Sequence, residues 1–533
     1  MNTCAFLHKG ALYRGSKPAI VFAEQSITYA DFYHRVLTLA GNLNAMGLQP
    51  GDRVAFCLPN GPRIFEIIYA CFASGLVVVP INARLHPKEA AYIVDDSGAR
   101  VLFSDEKLSG KIEKLQDLTP SLDRRIALPA DPGAEFPEHI TEQGHKLATY
   151  MEVEPDAPAW LFYTSGTTGK PKGALWTHRI IHAVIMNYLA DLYNIEPGEK
   201  VLHCAPLSHG SGIIALPTVA RGACNVIYEH ASFDPATLFP LIEKHRVSHV
   251  AFMAPTQIVK CLEDFAPGHD LSSLRGICYG GAPIYTEHLK KAMETFGPVF
   301  VQLFGQGEAP ITITGMNAQQ HKQFADADDP RLGSAGTIRT DVEACCMDSD
   351  GQPLPPGEIG EIAVRGEVVM AGYWNNPEAT AEAIRGGWLF TGDIGLFDED
   401  GFLFLLDRSK DVIISGGNNV YPREVEEVLV QHPGVANAVV VGVPDPYWGE
   451  AVHAVVILEP GAKPEAADLI AFCADHMAGY KKPKAVDFVT EFPISGYGKV
   501  LRREVRNWFW KEGAGQIGGG EAASKHSGAV PLK

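Results

Sequence analysis

The chain has 533 residues, of which 46% are hydrophobic and 20% charged, a composition typical of globular enzymes and a length that predicts more than one structural unit. The 45 basic and 63 acidic residues give a net charge of −18, which argues against general nucleic-acid binding because that function needs a basic surface. The ten cysteines form no CxxC pair, and the first residues show no secretory signal. We therefore expect a cytoplasmic protein.

Helical and strand-like patterns alternate over most of the chain. Residues 30–48 predict an amphipathic helix with Gly47 at its C-terminal end. The apolar run 67–80 is too short to span a membrane, and it predicts a core helix that leads into a buried strand. Further strand-like runs occupy residues 75–79, 223–227 and 299–303. This alternation predicts an α/β fold with parallel or mixed sheets covered by helices.

The pattern changes after residue 386, and this change predicts a domain boundary. Two strand-like segments are followed by a charged junction at residues 408–411 and by a helix that starts at Pro422. We therefore predict a large N-terminal domain (1–407), a hinge (408–411) and a small α+β C-terminal domain (412–512). Residues 513–533 are rich in Gly, Ala and Ser, which predicts a disordered tail.

The most distinctive motif is a glycine- and hydroxyl-rich loop at residues 163–173, directly after a strand-like segment. Such a loop presents backbone N–H groups and hydroxyls to a polyphosphate, and its lysines offset the negative charge. The spacing of Gly166 and Gly169 is not that of a Walker A loop. From its composition alone, the segment is also compatible with a flexible polar turn.

Residues 164–173 resemble the phosphate loop of the adenylate-forming superfamily, which contains acyl-CoA synthetases, adenylation domains of peptide synthetases and beetle luciferases. The resemblance extends over residues 20–505, because further motifs follow in the family's order. These motifs lie at residues 280–283, 304–308, 391–393, 407–411, 415–422 and 493–500. The resemblance implies an AMP-forming acyl-CoA synthetase, which uses ATP to convert a carboxylic acid to an acyl-adenylate and then passes the acyl group to coenzyme A.

The resemblance also implies the nucleotide and metal sites. Asp393 would accept the ribose hydroxyls with Arg408 beside it, and Glu308 would hold Mg²⁺ together with the Thr164 hydroxyl. The implied ATP-binding residues are Thr164, Ser165, Gly166, Thr167, Thr168, Gly169, Lys170, Lys172, Gly281, Ala282, Pro283, Phe304, Gly305, Gln306, Asp393 and Arg408. Without the resemblance, Glu308 and Asp393 would be ordinary loop and turn residues, and Arg408 a solvated charge.

The chain departs from the family motif at two positions. Phe304 stands where the family has tyrosine, and Gly307 where it has threonine. Each missing hydroxyl removes a hydrogen bond of about 1 kcal/mol unless another group replaces it. The absent side chain at Gly307 could instead enlarge the acid pocket.

For catalysis, the resemblance points to Lys499. Attack of a carboxylate on the α-phosphorus builds negative charge, which a positioned ammonium stabilises. Loss of one such group typically costs ~10²–10³ in rate, although a lysine in a loop is more often simply exposed. Lys410 would be the pivot of a hinge motion that removes Lys499 after the first step, and Gly416 and Gly417 would line the path of the pantetheine arm.

The acid pocket carries no pattern that identifies one acid. By resemblance it is lined by residues 209–214, 253–256, 278–282 and 304–307, which include no lysine or arginine. An apolar monocarboxylic acid is therefore predicted, either a medium- or long-chain fatty acid or an aryl acid. His209 would lie against the acyl group or guard the CoA path, and a purely structural histidine is an equal alternative.

Three other functions share these motifs in part. An acyl-AMP ligase that loads a carrier-protein thiol would retain every motif through Lys499. A luciferase-like oxygenase and a non-catalytic nucleotide-binding protein are the further alternatives, and the latter would predict loss of Lys499, Glu308 or Asp393. The predicted partners are the acid, ATP and CoA, without nucleic acid or a transmembrane segment, and the sequence is compatible with a homodimer.

Overall fold

The computed structural model describes residues 1–113, 119–164, 170–282, 284–494 and 500–510. The chain divides into two compact units, of which the larger contains Met1–Lys410 and the smaller contains Asp411–Pro493 with the described residues from Val500 onward. The predicted tail at residues 513–533 lies outside the described residues. None of the helices in the described part of the chain is long and apolar enough to cross a bilayer.

The described strands and helices follow each other along both units. The strands are β1 (Pro18–Phe22), β2 (Gln25–Thr28), β3 (Arg53–Leu58), β4 (Val77–Asn82), β5 (Ala99–Asp105), β6 (Arg124–Leu128), β7 (Pro158–Thr164), β8 (Lys172–Thr177), β9 (Lys200–His203), β10 (Cys224–Ile227), β11 (His249–Met253), β12 (Gly276–Gly280), β13 (Phe300–Gln306), β14 (Ala309–Met316), β15 (Thr337–Ile338), β16 (Glu343–Met347), β17 (Gly360–Arg365), β18 (Ile384–Arg385), β19 (Trp388–Phe397), β20 (Leu403–Arg408), β21 (Ile413–Ser415), β22 (Asn418–Val420), β23 (Val435–Asp445), β24 (Gly449–Leu458) and β25 (Ala485–Phe488). The helices are α1 (Cys4–Arg14), α2 (Tyr29–Ala45), α3 (Pro62–Ala73), α4 (Pro87–Ser97), α5 (Glu106–Glu113), α6 (His178–Asp191), α7 (Gly210–Ala220), α8 (Pro235–His245), α9 (Pro255–Glu263), α10 (Thr286–Phe296), α11 (Ala318–Asp326), α12 (Pro377–Ala383), α13 (Pro422–Val430), α14 (Ala466–His476) and α15 (Arg502–Asn507).

The larger unit contains a nine-stranded and a six-stranded sheet. The nine-stranded sheet has the order β15-β14-β13-β12-β11-β9-β10-β1-β2, and its central pairs are parallel. The six-stranded sheet has the order β6-β5-β3-β4-β7-β8 and is parallel apart from the β7–β8 hairpin. Parallel strands need crossover connections, and the helices that supply them bury the apolar faces of both sheets.

The predicted core elements are confirmed. The predicted helix at 30–48 is α2, whose C-terminal end is followed by Gly47 with a positive φ of 93°. The apolar run 67–80 covers most of α3 and the start of β4, and all residues of both elements are buried. The strand-like runs at 223–227 and 299–303 correspond to β10 and β13. Hydrophobic periodicity is therefore a sound guide to this core.

A third, mainly antiparallel sheet of the larger unit follows residue 340. It has the order β16-β17-β19-β18, with β20 paired to β19. Strands β19 and β20 correspond to the two strand-like segments predicted after residue 386. On β19, buried and half-buried residues alternate along all ten positions, the pattern expected of a strand with one face against the core.

The smaller unit is an α+β arrangement of its own. Its sheet has the order β22-β21-β24-β23, and β25 adds a parallel strand beside β24. Helix α13 begins at Pro422, as the sequence predicts, because proline lacks the N–H that the first turn would leave unpaired. The chain thus has the predicted fold class, an α/β fold with a large N-terminal and a small C-terminal unit.

Candidate active site

The hairpin of β7 and β8 carries the glycine-rich motif. Thr164 ends β7 and pairs in register with Lys172 at the start of β8. The loop residues Ser165, Gly166, Thr167, Thr168 and Gly169 lie outside the described residues. The two lysines of the motif pack over aromatic rings, with the Lys170 Nζ 5.7 Å from the centre of Tyr92 and the Lys172 Nζ 5.0 Å from that of Tyr373. Both lysines, which follow the loop in the sequence, are therefore packed against aromatic side chains.

Glu308 lies in the tight connection between β13 and β14 and is only 6% exposed. Its Oε1 accepts a hydrogen bond from the Thr164 hydroxyl at 3.0 Å and another from the Tyr373 hydroxyl at 2.7 Å. Thr164 and Glu308, both predicted as metal ligands, are thus in direct contact although they belong to different sheets. Tyr373 was not predicted from the sequence.

Tyr373 is a hydroxyl donor in this arrangement. Burial, followed by the adjacent Glu308 carboxylate, raises the pKa of the Tyr373 phenol well above its ordinary value. The phenol is consequently protonated at neutral pH, and its proton can be donated to the carboxylate.

Gly307 has no room for a side chain. A Cβ at this position would lie 2.3 Å from the Cγ2 of Thr164 and 2.7 Å from the Cδ1 of Phe162. The Gly307 carbonyl accepts a hydrogen bond from the indole of Trp176 at 2.8 Å. The space that the family's threonine would need is therefore filled by Phe162 and Thr164, and the backbone is held in place from β8.

His209 ends a column of stacked rings. Its ring stacks on Phe162 with 4.7 Å between ring centres, Phe162 stacks on Trp176 at 4.9 Å, and Trp176 stacks on Trp160 at 5.5 Å. The other three rings are buried, whereas His209 is partly exposed at the start of α7. His209 is therefore held at the exposed end of a rigid aromatic column, next to Gly307 through their shared neighbour Phe162.

The predicted ribose site lies on the third sheet. Asp393 on β19 and Arg408 on β20 are register partners, and the Arg408 Nε lies 2.7 Å from the Asp393 Oδ1. Asp393 is 8% exposed. The side-chain amide of Gln306 donates a hydrogen bond to the carbonyl of Thr391 at 3.1 Å, which connects this motif to the end of β13.

We expect Asp393→Asn to raise the KM for ATP by about 10- to 100-fold, because a hydrogen bond to a charged acceptor contributes roughly 1.5–3 kcal/mol. Steady-state kinetics with ATP varied would measure the change. Asp400→Asn is the matched control, since Asp400 is also paired with an arginine, Arg331 at 2.8 Å, but lies in the exposed turn of the same hairpin. An unchanged KM in Asp393→Asn would contradict the ribose assignment.

The remaining predicted nucleotide residues border the same end of the nine-stranded sheet. Gly281 and Ala282 directly follow β12, and Phe304, Gly305 and Gln306 form the end of β13. Because β12 and β13 are parallel neighbours, the two motifs meet at one edge, as expected for ligand sites in α/β sheets. Pro283 lies outside the described residues.

The residues predicted for the hinge and the CoA path belong to other elements of the chain. Lys410 is exposed in a short 3₁₀ helix, Ser409–Asp411, at the end of the larger unit. Gly416 and Gly417 form the turn between β21 and β22 of the smaller unit, and both have positive φ. A Cβ on Gly416 would also lie 2.6 Å from the Trp448 ring. Lys499 lies outside the described residues.

Within the larger unit, three sheets contribute to one site. Thr164 comes from the six-stranded sheet, Glu308 and Gln306 from the nine-stranded sheet, and Asp393 from the third sheet. Sequence reasoning missed Tyr373, which is 65 residues from Glu308, and the ring column beneath His209. No periodic pattern could reveal either, because both depend on contacts between separate elements.

Two family matches cover this chain. The family of AMP-binding enzymes matches residues 7–374, and the C-terminal domain of AMP-binding enzymes matches residues 424–499. The chain therefore belongs to the AMP-binding, adenylate-forming family, as the sequence motifs predicted. The predicted α/β fold is the fold of this family.

Individual relatives narrow the class of enzyme. The chain is 38% identical over 494 residues to a feruloyl-CoA synthase from Amycolatopsis sp, covering 91% of this chain and 94% of that protein. It is 34% identical over 522 residues to the fatty acid–[acyl-carrier-protein] ligase ScoC from Streptomyces coeruleorubidus, covering 95% and 96%. Other relatives are CoA ligases of fatty and aryl acids.

Among solved structures, the amide bond synthetase McbA from Marinactinospora thermotolerans superimposes with a TM-score of 0.85 at 33% identity, covering 95% of this chain and 100% of that one. With the family matches and the CoA-ligase relatives, the chain is an AMP-forming acid–CoA ligase that uses ATP. The predicted class of enzyme is thereby confirmed.

Proposed function

We propose that the acid is an apolar monocarboxylic acid, either a medium- or long-chain fatty acid or an aryl acid. The observation that carries this proposal is the composition of the segments at 209–214, 253–256, 278–282 and 304–307, which contain no lysine or arginine to pair with a second carboxylate. The ring column that ends at His209 adds an aromatic surface beside Gly307. Several relatives are named for aryl or fatty acids, in agreement with this range, whereas the 2-succinylbenzoate–CoA ligase from Geobacillus kaustophilus is named for an acid with two carboxylates.

We propose that ATP is held along the edge formed by the ends of β7, β12 and β13 and by the middle of β19. In this proposal the 163–173 loop binds the phosphates, because its backbone N–H groups and the lysines at 170 and 172 can offset their charge. The Asp393 carboxylate accepts the ribose hydroxyls while Arg408 holds it from the neighbouring strand. Phe304 supplies a flat surface for the adenine ring.

The residues around Glu308 fit Mg²⁺. A magnesium ion in a nucleotide site usually takes one or two carboxylates together with substrate phosphates. Glu308 offers a buried carboxylate, and both of its hydroxyl donors go to Oε1, so Oε2 is the oxygen that we assign to the metal. When bound there, Mg²⁺ would neutralise part of the phosphate charge. In this structure the chain itself contributes the orientation of the carboxylate.

Adenylation and thioester formation need different surroundings for the reacting atoms. In the first step the acid carboxylate attacks the α-phosphorus and pyrophosphate leaves, and we assign the stabilisation of this charge to the Lys499 ammonium. In the second step the CoA thiolate attacks the acyl carbonyl and AMP leaves. We propose that Lys410 is the pivot of the change between the two, and that the Gly416–Gly417 turn lies along the pantetheine arm.

The decisive experiment incubates the protein with Mg²⁺, ATP and a panel of fatty and aryl acids, with and without CoA, and measures AMP, pyrophosphate and thioester. We expect thioester and stoichiometric AMP only with CoA and with one class of acid. A trapped adenylate with no thioester at saturating CoA would contradict the proposal. It would favour transfer to a carrier-protein thiol, the acceptor named for the relative ScoC.

We expect Lys499→Ala to lower the rate of adenylation by ~10²–10³, because it removes a preorganised charge from the transition state. The thioester-forming step, started from added acyl-adenylate, should change much less. Single-turnover measurements of the two half-reactions would separate these effects. Lys463→Ala, at an exposed position without a proposed role, is the control, and equal loss in both half-reactions of Lys499→Ala would contradict the assignment.

A further inference from the structure

The segment at residues 370–374 connects the glycine-rich hairpin to Glu308. Its backbone pairs with β8, since Leu175 donates to the Gly372 carbonyl at 2.9 Å and Trp374 donates to the Gly173 carbonyl at 2.8 Å. At its start, the Met370 N–H donates to the main-chain carbonyl of Glu308 at 2.8 Å. The segment is thus hydrogen bonded both to the strand after the phosphate loop and to the residue that carries the proposed metal ligand.

Tyr373 is held within this segment from three sides. Its N–H donates to the Thr380 hydroxyl at 2.9 Å, and its ring lies under the Lys172 ammonium at 5.0 Å. Its hydroxyl donates to Glu308 Oε1 at 2.7 Å. Because backbone, ring and hydroxyl are each engaged, the phenol can act as a rigid support for the carboxylate.

The two hydroxyl donors define the orientation of Glu308. A carboxylate without such bonds would rotate about its last torsion, which is a soft one. With Thr164 at 3.0 Å and Tyr373 at 2.7 Å both bound to Oε1, rotation would break two hydrogen bonds to a charged acceptor. Bonds of this kind contribute more than those between neutral groups. The position of Oε2 is consequently determined by two other parts of the chain.

We propose that Tyr373 is a positioning residue for the metal: its hydroxyl and that of Thr164 hold Oε1 of Glu308, so that Oε2 faces the Mg²⁺ bound with ATP. This inference rests on the proposed role of Glu308 as a metal ligand. In this proposal Tyr373 contacts the Glu308 carboxylate and not the metal itself. It acts through Glu308, as outer hydrogen-bonding partners of metal ligands commonly do.

The test measures binding rather than turnover. Calorimetric titration of the full-length protein with ATP, without any acid, gives one affinity in excess Mg²⁺ and another in excess EDTA. The ratio of the two affinities reports how strongly the protein prefers ATP bound to Mg²⁺ over ATP without the metal. We expect Tyr373→Phe to lower this ratio by about tenfold, since roughly 1.5 kcal/mol of support for the ligand is lost, while the affinity in EDTA stays within about twofold.

Matched variants test whether the lowered ratio in Tyr373→Phe arises through Glu308. Glu308→Gln should abolish the preference for the metal complex, and the double variant Glu308→Gln with Tyr373→Phe should equal Glu308→Gln alone, because Tyr373 acts only through that carboxylate. Tyr29→Phe is the control, since the buried Tyr29 hydroxyl donates to the Ala223 carbonyl at 2.7 Å and neither residue has a proposed role. Its ratio should stay that of the parent protein.

Each outcome has one meaning. A normal ratio in Tyr373→Phe, together with a lowered ratio in Glu308→Gln, would overturn the inference and leave the role of Glu308 intact. A normal ratio in Glu308→Gln would overturn the metal assignment itself. Thermal melting verifies that the variants are folded. If Tyr373→Phe does not fold, Thr164→Val removes the second donor to the same oxygen, and a normal ratio there would equally overturn the inference.

Discussion

Gly307→Thr is expected to lower kcat/KM for ATP by about 100-fold, although it introduces the residue that is usual in the family motif. The new Cβ would lie 2.3 Å from Thr164 Cγ2 and 2.7 Å from Phe162 Cδ1, far inside the ~3.5–4.0 Å at which carbon atoms attract each other. Thr164 must therefore move, and its bond to Glu308 is lost. Displacements of about 1 Å at a reacting site cost on the order of 100-fold in rate.

The cause can be separated from general misfolding. Gly144→Thr is the control, because Gly144 is exposed and a Cβ there meets no atom within 4 Å. Gly307→Ala should show a smaller loss of the same kind, and Thr164→Ser, which removes Cγ2 but keeps the hydroxyl, should recover part of it in the double variant. Steady-state kinetics with ATP varied would show this. Full activity of Gly307→Thr would mean that Phe162 and Thr164 can rearrange at little cost.

The second large effect concerns pH. His203 is completely buried, with its Nδ1 3.0 Å from the Ser211 hydroxyl and its Nε2 2.9 Å from the Asn225 side-chain oxygen. Burial lowers the pKa of His203 from 6.5 to about 4. The unfolded chain therefore takes up this proton first, and the stabilisation from the neutral ring is fully present above pH 6.5 and is lost as the pH falls to about 4.

We expect His203 to lower the free energy of unfolding by about 2 kcal/mol between neutral pH and about pH 5. The stability of His203→Gln relative to the parent protein should therefore improve by that amount as the pH falls. Unfolding followed at several pH values would measure the difference, with the exposed His139→Gln as control. A difference that does not vary with pH would contradict the prediction.

Other histidines should act in the same direction. Burial is the largest cause of a lowered pKa at six further positions, namely His178, His182, His245, His249, His321 and His453. All of these except His453 belong to the larger unit. We therefore expect that unit to lose stability steeply below neutral pH, and a single substitution at His203 to remove only its own share.

The local elements were predictable because each carries its own signal. The apolar run at 67–80 predicted the helix and strand that are α3 and β4, and the position of Pro422 predicted the start of α13. The nature of Gly307 was not predictable in this way. From the sequence, the missing side chain was compatible with an enlarged acid pocket. The structure shows instead that the Phe162 ring and Thr164 fill this space.

The sequence by itself determined the order of the motifs, the α/β class and the chemical groups that each motif contains, because these follow from residue type, spacing and period along the chain. Only the tertiary structure decided which residues of different motifs are in contact. Glu308 meets Thr164 across 144 positions and Tyr373 across 65, and Gln306 meets Thr391 across 85. Contacts between side chains of different sheets depend on how those sheets pack, and no local pattern records that packing.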